Sequence, residues 1–170
     1  MTVLHEEAGF RLRHLRRSDA EDLLTVTSDP DVVRHVGDGS TLTPALVDLW
    51  IERSLANYVA HGYGTFALGD PADDRLFGWA GFVPPGAEPV PEIIYGFEKA
   101  RWGGGLGSRI ALALVRLARE QFRFPLVLAT VDEANHRSCR IVERLGFRLD
   151  AVVMEDGVPV RRYLLSGPES

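Results

Sequence analysis

Apolar and polar residues change period several times along this chain, and each change predicts an element. Phe10, Leu12 and Leu15 alternate with arginines, the spacing of a half-buried strand. Ser18 followed by Glu21 three residues later reads as a capping box, which predicts a short helix to about Thr27. Asp29-Pro30 opens a second helical piece through Val36. Thr43-Pro44 opens a longer one, in which Leu46, Leu49, Trp50, Arg53 and Leu55 recur at helical spacing until Gly62 and Gly64 end it. Strands are predicted next over residues 65–68, 76–83 and 92–97, an antiparallel meander whose gaps are the turn-rich stretches 69–75 and 83–91. Leu106, Ile110, Ala113, Leu114 and Leu117 then mark an amphipathic helix that starts in a glycine cluster and is bounded by Phe124-Pro125. Residues 126–131 form an apolar run of strand length. Asn135 caps a helix with Ser138, Ile141, Val142 and Leu145 on one side and Gly146 as its left-handed stop. Residues 147–154 and 158–165 close the chain as a hairpin around Asp156-Gly157. The order β-α-α-β-β-β-α-β-α-β-β places a strand–helix–strand unit after a meander, which implies an α/β (α+β) fold with a mixed sheet and helices on its faces.

Composition narrows the picture. At 170 residues the chain is long enough for one well-buried core, so a single domain over 1–170 is expected. Cys139 is the only cysteine, which excludes an intrachain disulfide and any zinc site built on paired thiolates; no metal is expected. A net charge of −5 argues against a protein that holds nucleic acid by its phosphates, and it suits either a cationic, amine-bearing partner or plain solubility. No apolar stretch has the length of a signal peptide or a membrane span, so a cytoplasmic protein without a membrane partner is expected.

The segment richest in chemistry is RWGGGLGSR at residues 101–109. Gly103, Gly104, Gly105 and Gly107 directly before an apolar helix leave backbone N–H groups unobstructed at the positive end of a helix dipole, a cradle for phosphate or pyrophosphate. The alternative is a flexible loop that lets strand and helix pack closely. Gly107 is followed by Ser108, and the only lysine is Lys99, which rules out a P-loop. A dinucleotide fingerprint would need glycine at 108 or 110, where Ser and Ile stand.

Four segments in this order resemble one family: FRLRHLRRSDAEDLLTVTSDPDVVRHVG, LFGWAGF, EIIYGFEKARWGGGLGS and NHRSCRIVERLGFR. Together they resemble the GNAT superfamily of acetyl-CoA-dependent N-acetyltransferases, within it the RimJ/RimL-like branch that acetylates protein N-termini and small amines. The resemblance implies a largely antiparallel, twisted mixed sheet, splayed near its middle to admit the cofactor, with helices on both faces. It implies acetyl-CoA as co-substrate, with its pyrophosphate on the amides of Gly103, Gly104, Gly105, Leu106, Gly107 and Ser108. The pantetheine arm would pair with the strand Ile94, Tyr95, Gly96 and Phe97, and Asn135 would hydrogen-bond the cofactor. Trp102 stands where many superfamily members carry Gln or Arg, as is common in this branch, so one side-chain contact to phosphate is absent. Val142 replaces a tyrosine that would protonate the leaving thiolate; the branch points instead to Ser138 as the hydroxyl nearest the sulfur. Ser138 is otherwise a first-turn helix residue bonding the backbone. The oxyanion would be met by a backbone N–H within residues 94–96.

A neutral amine attacking the thioester needs only a modest base when the acceptor is an N-terminus, since an α-amino group of pKa near 8 is already about 10% neutral at pH 7. Glu92, at the start of the strand entering the cleft, is the candidate base, acting through water; the alternative is an exposed strand-end carboxylate after Pro91. No acid–His–Ser spacing supports a triad, and Cys139 suits a small buried residue rather than a nucleophile. The family's acceptor pocket corresponds to residues 34–43 and 154–160, whose Asp38, Glu155 and Asp156 either attract a cationic amine or are solvated loop carboxylates. Trp50, Tyr58 and Tyr63, at helical or strand spacing, suit core positions, the alternative being a substrate cage. The expected partner is a small-molecule or peptide amine, with a homodimer as a further expectation from the branch. The reading from a second class is a non-catalytic acetyl-CoA-binding module or sensor.

Overall fold

The computed structural model describes residues 2–86 and 89–168, so the tip of the loop expected at 83–91 lies outside the described residues. The fold is mixed α/β, as the residue pattern implies, and its eight strands have the largely antiparallel arrangement that the family resemblance implies. The chain divides into two compact units: Met1–Phe82 with Ile94–Leu106, and Val83–Ile93 with Gly107–Ser170.

In the first unit the strands β1 (Val3–Glu7), β2 (Phe10–His14), β3 (Thr65–Gly69), β4 (Leu76–Val83) and β5 (Glu92–Phe97) are hydrogen-bonded in that order. The pairs β1–β2, β2–β3 and β3–β4 are antiparallel. β1 is not predicted by the residue pattern. Its VLHEE sequence carries no apolar alternation, and it is held by pairing with β2 rather than by burial of its own face. Between β2 and β3 run α1 (Ala20–Thr27), α2 (Pro30–Val33) and α3 (Pro44–His61). Leu15, Leu23, Val26, Val47, Ile51, Ala67, Leu76 and Trp79 share one core. The Trp50 and Trp79 rings meet edge to face with centroids 5.3 Å apart. Tyr58 donates its hydroxyl hydrogen to the Thr65 carbonyl and accepts from the Leu15 N–H, which makes it a core residue as expected.

Local signals set most helix ends. The Asp29 side chain accepts from the Asp31 N–H, the Thr43 hydroxyl from the Leu46 N–H, and Gly62 ends α3 in the left-handed region at φ 80°. Two expectations need correction. Ser18 caps nothing: residues 17–19 form a 3-10 turn, and the Asp19 carboxylate reaches back to the Arg16 N–H at 2.8 Å. The buried face of α3 is Val47, Ile51 and Ser54, while Leu46 and Leu49 are exposed. Asp19 is diverted because it also pairs bidentately with Arg13, at 2.9 Å through each nitrogen, and Arg13 is itself fully buried. Arg13 further donates to the Asp74 carboxylate at 2.9 Å and to the Asp74 and His14 carbonyls. The buried guanidinium is thus paired and hydrogen-bonded, the condition under which a buried charge is tolerated.

In the second unit the start of β5 is followed in hydrogen-bonded order by β6 (Leu126–Asp132), β8 (Val158–Ser166) and β7 (Arg148–Glu155). The β5–β6 pairing is parallel and one bridge long, Glu92 opposite Leu128, whereas β6–β8 and β7–β8 are long antiparallel ladders. α4 (Leu106–Arg116) buries Ile110, Ala111, Ala113 and Leu114, and a wider turn over Leu117–Gln121 extends it. α5 (His136–Arg144) buries Cys139, Ile141 and Val142. The β7–β8 hairpin turns through Asp156 at φ 49° and Gly157 at φ 78°, the pair of positive angles that a two-residue hairpin loop requires.

Candidate active site

The residues expected to carry function fall into two groups, one in each unit. In the first unit, residues 94–97 of β5 form the edge strand beyond β4, and the loop after it is clamped at its entrance. Arg101 pairs with Glu98 and Asp70, each at 2.8 Å, and its guanidinium lies 4.0 Å from the centre of the Phe77 ring. Burial opposes the Arg101 charge, but the hydrogen bonds and charges of Glu98 and Asp70 outweigh it and hold the guanidinium above its ordinary pKa. Arg101 is therefore committed to the protein's own carboxylates. The Trp102 indole N–H donates to the Phe97 carbonyl at 3.0 Å, with the ring partly exposed, so this residue ties the start of the glycine loop to the end of β5.

The glycines then divide by cause. Gly96 lacks a side chain because the Trp79 ring occupies the place a Cβ would take. Gly78 and Gly81 of β4 are hemmed in by the Gly96 and Gly64 carbonyls respectively. Gly103 and Gly105 stand at φ 87° and 78°, in the left-handed region that favours glycine. Gly104 has neither reason: its φ is not left-handed, and no atom lies within 4 Å of a Cβ built there. Fold and packing leave this glycine unexplained, whereas a ligand approaching the backbone closely would require it. Among the described residues no protein group accepts from the N–H of Gly103, Gly104 or Gly105. Within the first unit, free donors and absent side chains over residues 103–105 suit an anion such as a pyrophosphate. In the second unit, Gly107 and Ser108 lie in the first turn of α4, where N–H groups have no intrahelical acceptor.

In the second unit, the Glu92 carboxylate accepts a hydrogen bond from the Thr130 hydroxyl on β6, and Glu92 is half-buried. Thr130 was not among the residues singled out from the sequence; its one signal is a lone hydroxyl inside the apolar run LVLATV. The Asn135 side-chain oxygen caps α5 by accepting the Ser138 N–H at 3.3 Å. Only its NH₂ remains to donate outward. Ser138 is half-buried in the first turn, and its hydroxyl has no partner among the described residues. Val142 is buried, and the nearby core tyrosine offers no substitute acid. The Tyr163 hydroxyl donates to Glu143 at 2.7 Å and accepts from Arg161, and burial pushes its pKa up to about 12. Cys139 is buried, with its Sγ directed at the Asp132 carbonyl, which suits a core residue.

Known proteins give these features a context. The fold is that of solved acetyltransferases. The ribosomal-protein-S5-alanine acetyltransferase of Vibrio fischeri superposes with a TM-score of 0.82 at 12% identity, over 98% of this chain and 97% of that one. The spermidine N-acetyltransferase of Vibrio cholerae, solved with CoA and spermine, gives 0.77 at 14% identity, over 93% and 95%. In sequence, the uncharacterized protein YkkB of Bacillus subtilis is 24% identical over 157 residues, covering 91% of this chain and 90% of YkkB. A family model of the acetyltransferase (GNAT) domain matches residues 10–148, and the chain belongs to that family of acyltransferases.

Proposed function

We propose that this GNAT domain is an N-acetyltransferase of the RimJ/RimL-like branch, moving the acetyl group of acetyl-CoA directly to a primary amine. The acceptor class is a protein N-terminus or a small amine such as a polyamine or amine-bearing antibiotic. The observation that carries the reading is the run Gly103, Gly104 and Gly105, above all the glycine at 104 that neither φ nor packing requires. It fits a pyrophosphate lying against the backbone, so the residues present suit CoA. The similarity to an S5-alanine and to a spermidine acetyltransferase supports the acceptor class.

In this reading the amides of Gly103, Gly104, Gly105, Leu106, Gly107 and Ser108 hold the phosphates, and the Asn135 NH₂ donates to the cofactor. Backbone groups of Ile94, Tyr95, Gly96 and Phe97 align the pantetheine arm. Trp102 acts by positioning the loop, since its indole N–H is already bonded to Phe97. When bound, acetyl-CoA supplies an activated acyl thioester. Glu92 takes the proton from the attacking amine through water, and the Thr130 hydrogen bond steadies its carboxylate in the charged, proton-accepting form. Ser138 supplies the O–H for the thiolate side, a light task because a thiol of pKa about 8.5 leaves readily as the anion. No metal is needed for this chemistry, and the location remains cytoplasmic in the proposal.

The test is release of free CoA thiol from acetyl-CoA against a panel of N-terminal peptides, polyamines and aminoglycosides, with thermal-shift binding in parallel. Amine-dependent release supports the enzyme and begins to name the acceptor. Stabilisation by acetyl-CoA with no release for any amine favours a binding module, and absence of both removes the assignment.

A further inference from the structure

Arg161 of β8 makes only long polar contacts. Its Nη2 lies 3.6 Å from the Glu133 carboxylate and its Nη1 3.5 Å from that of Glu143, distances of ion pairs rather than of close hydrogen bonds. Nη1 also donates to the Tyr163 hydroxyl at 3.4 Å, while Nε is buried and has no acceptor among the described residues. The ion pairs add little to stability, because the side chains of Arg161, Glu133 and Glu143 are 31%, 40% and 47% exposed and water competes for their charges. The buried Nε counts against the folded state. Stability therefore does not account for this arrangement.

The partners of Arg161 show what it holds. Glu133 stands in the turn from β6 to α5, two residues before Asn135, and its N–H donates to the Pro159 carbonyl of β8 at 3.0 Å. Glu143 stands near the other end of α5 and also accepts from the Tyr163 hydroxyl at 2.7 Å. One guanidinium thus brackets α5, joining both of its ends to β8. Between the two anchors lie Asn135 and Ser138, linked by the cap in which the Asn135 oxygen accepts the Ser138 N–H. The Asn135 N–H is pinned to the Asp132 carbonyl at 2.8 Å. Releasing Glu133 and Glu143 leaves that point as a pivot, about which α5 turns and the Asn135 side chain swings. All of these residues belong to the second unit.

We propose that Arg161 is a positioning residue for cofactor binding: by bracketing α5 through Glu133 and Glu143, it holds the Asn135 NH₂ where coenzyme A accepts from it. The inference rests on the reading that gives Asn135 a contact with the cofactor. A supporting charge of this kind fixes where a donor points while adding little to stability.

The experiment is isothermal titration of CoA into the full chain as wild type, Asn135→Ala, Arg161→Met, the double variant and Arg161→Lys, with melting curves taken without ligand. Asn135→Ala is expected to raise Kd roughly 2- to 10-fold, the loss of one hydrogen bond. Arg161→Met is expected to raise it by no more than that, at an unchanged melting temperature. The double variant is expected to bind no more weakly than Asn135→Ala, because Arg161 acts through Asn135. Arg161→Lys keeps a charge between the two carboxylates and is expected to recover part of the affinity. Wild-type affinity in Arg161→Met, losses that multiply in the double variant, a loss that comes only with a lowered melting temperature, or no recovery in Arg161→Lys overturns the proposal. Asn135→Ala binding as tightly as wild type overturns the reading of Asn135 and this inference with it, an outcome distinct from a failure confined to the Arg161 variants. If Arg161→Met fails to fold, Glu133→Gln at a half-exposed position takes its place in the same cycle.

Discussion

Replacing Gly104 by valine separates ligand approach from folding more cleanly than any other change in the glycine loop. Nothing lies within 4 Å of the added Cβ, and φ is outside the left-handed region, so the folded protein gives no reason for a loss of stability. The expected change is within about 0.5 kcal/mol, the range of an ordinary surface substitution. A branched side chain at 104 would hold a phosphate away from the loop amides. Loss of one hydrogen bond to a charged group costs about 1.5–3 kcal/mol, which corresponds to a roughly 10- to 150-fold weaker Kd. The neighbouring change Gly105→Val is the contrast. At φ 78° it adds backbone strain of about 1–3 kcal/mol, so it should lower Tm as well as affinity. The assay is isothermal titration of CoA into wild type, Gly104→Ala, Gly104→Val and Gly105→Val, beside melting curves without ligand. Wild-type affinity in Gly104→Val would refute the assignment of this loop to phosphate. A large drop in its melting temperature would refute the claim that the glycine is free of structural duty.

Glu92→Gln should leave CoA binding intact and slow amine-dependent turnover most strongly below the acceptor's pKa; equal rates with wild type from about pH 6 to 9 would remove Glu92 from the mechanism. Thr130→Val withdraws a donor from the Glu92 carboxylate, so the acid limb of the kcat/KM profile should move to higher pH, and an unmoved limb denies Thr130 that influence. Arg13→Met leaves the Asp19 carboxylate, 4% exposed, without its bidentate partner and should cost about 3–5 kcal/mol in urea unfolding; a loss below about 1 kcal/mol would contradict the buried pair. Burial pulls the Asp74 carboxyl up, but the hydrogen bonds and charges of Arg13 and Arg16 outweigh it and hold its pKa below the usual carboxylate value. Its folded pKa being the lower, the stabilisation is present above about pH 4 and is lost as pH falls through the folded value. Urea midpoints should therefore drop on acidification below about pH 4, and Asp74→Asn should flatten that drop.

The residue pattern alone determined the features whose cause is local. Asp29, Thr43 and Asn135 cap helices with their own side chains, Gly62 and Gly146 stop them, and Asp156-Gly157 turns the last hairpin. Each signal lies within a few residues of the backbone group it satisfies, so it is readable before any tertiary contact exists. The glycine run before α4 was equally legible, because four glycines in five positions exceed what a turn demands. Only the tertiary structure decided features whose partner is distant in the chain. Asp19 displaces Ser18 as the closing residue of its turn because Arg13 arrives from β2, and Arg13 is completed by Asp74, 61 residues away. Leu46 and Leu49 share the helical period of α3 yet face solvent, since the sheet selects Val47 and Ile51 instead. Thr130 reaches Glu92 across 38 residues, and the Trp79 ring accounts for Gly96, a position that sequence motif alone assigns to the cofactor strand. Hydrogen-bond capping and turn chemistry act over one or two peptide units and leave a mark in the sequence. Burial and charge pairing are settled by which surfaces meet, and a chain position carries no mark of the neighbour that folding will bring to it.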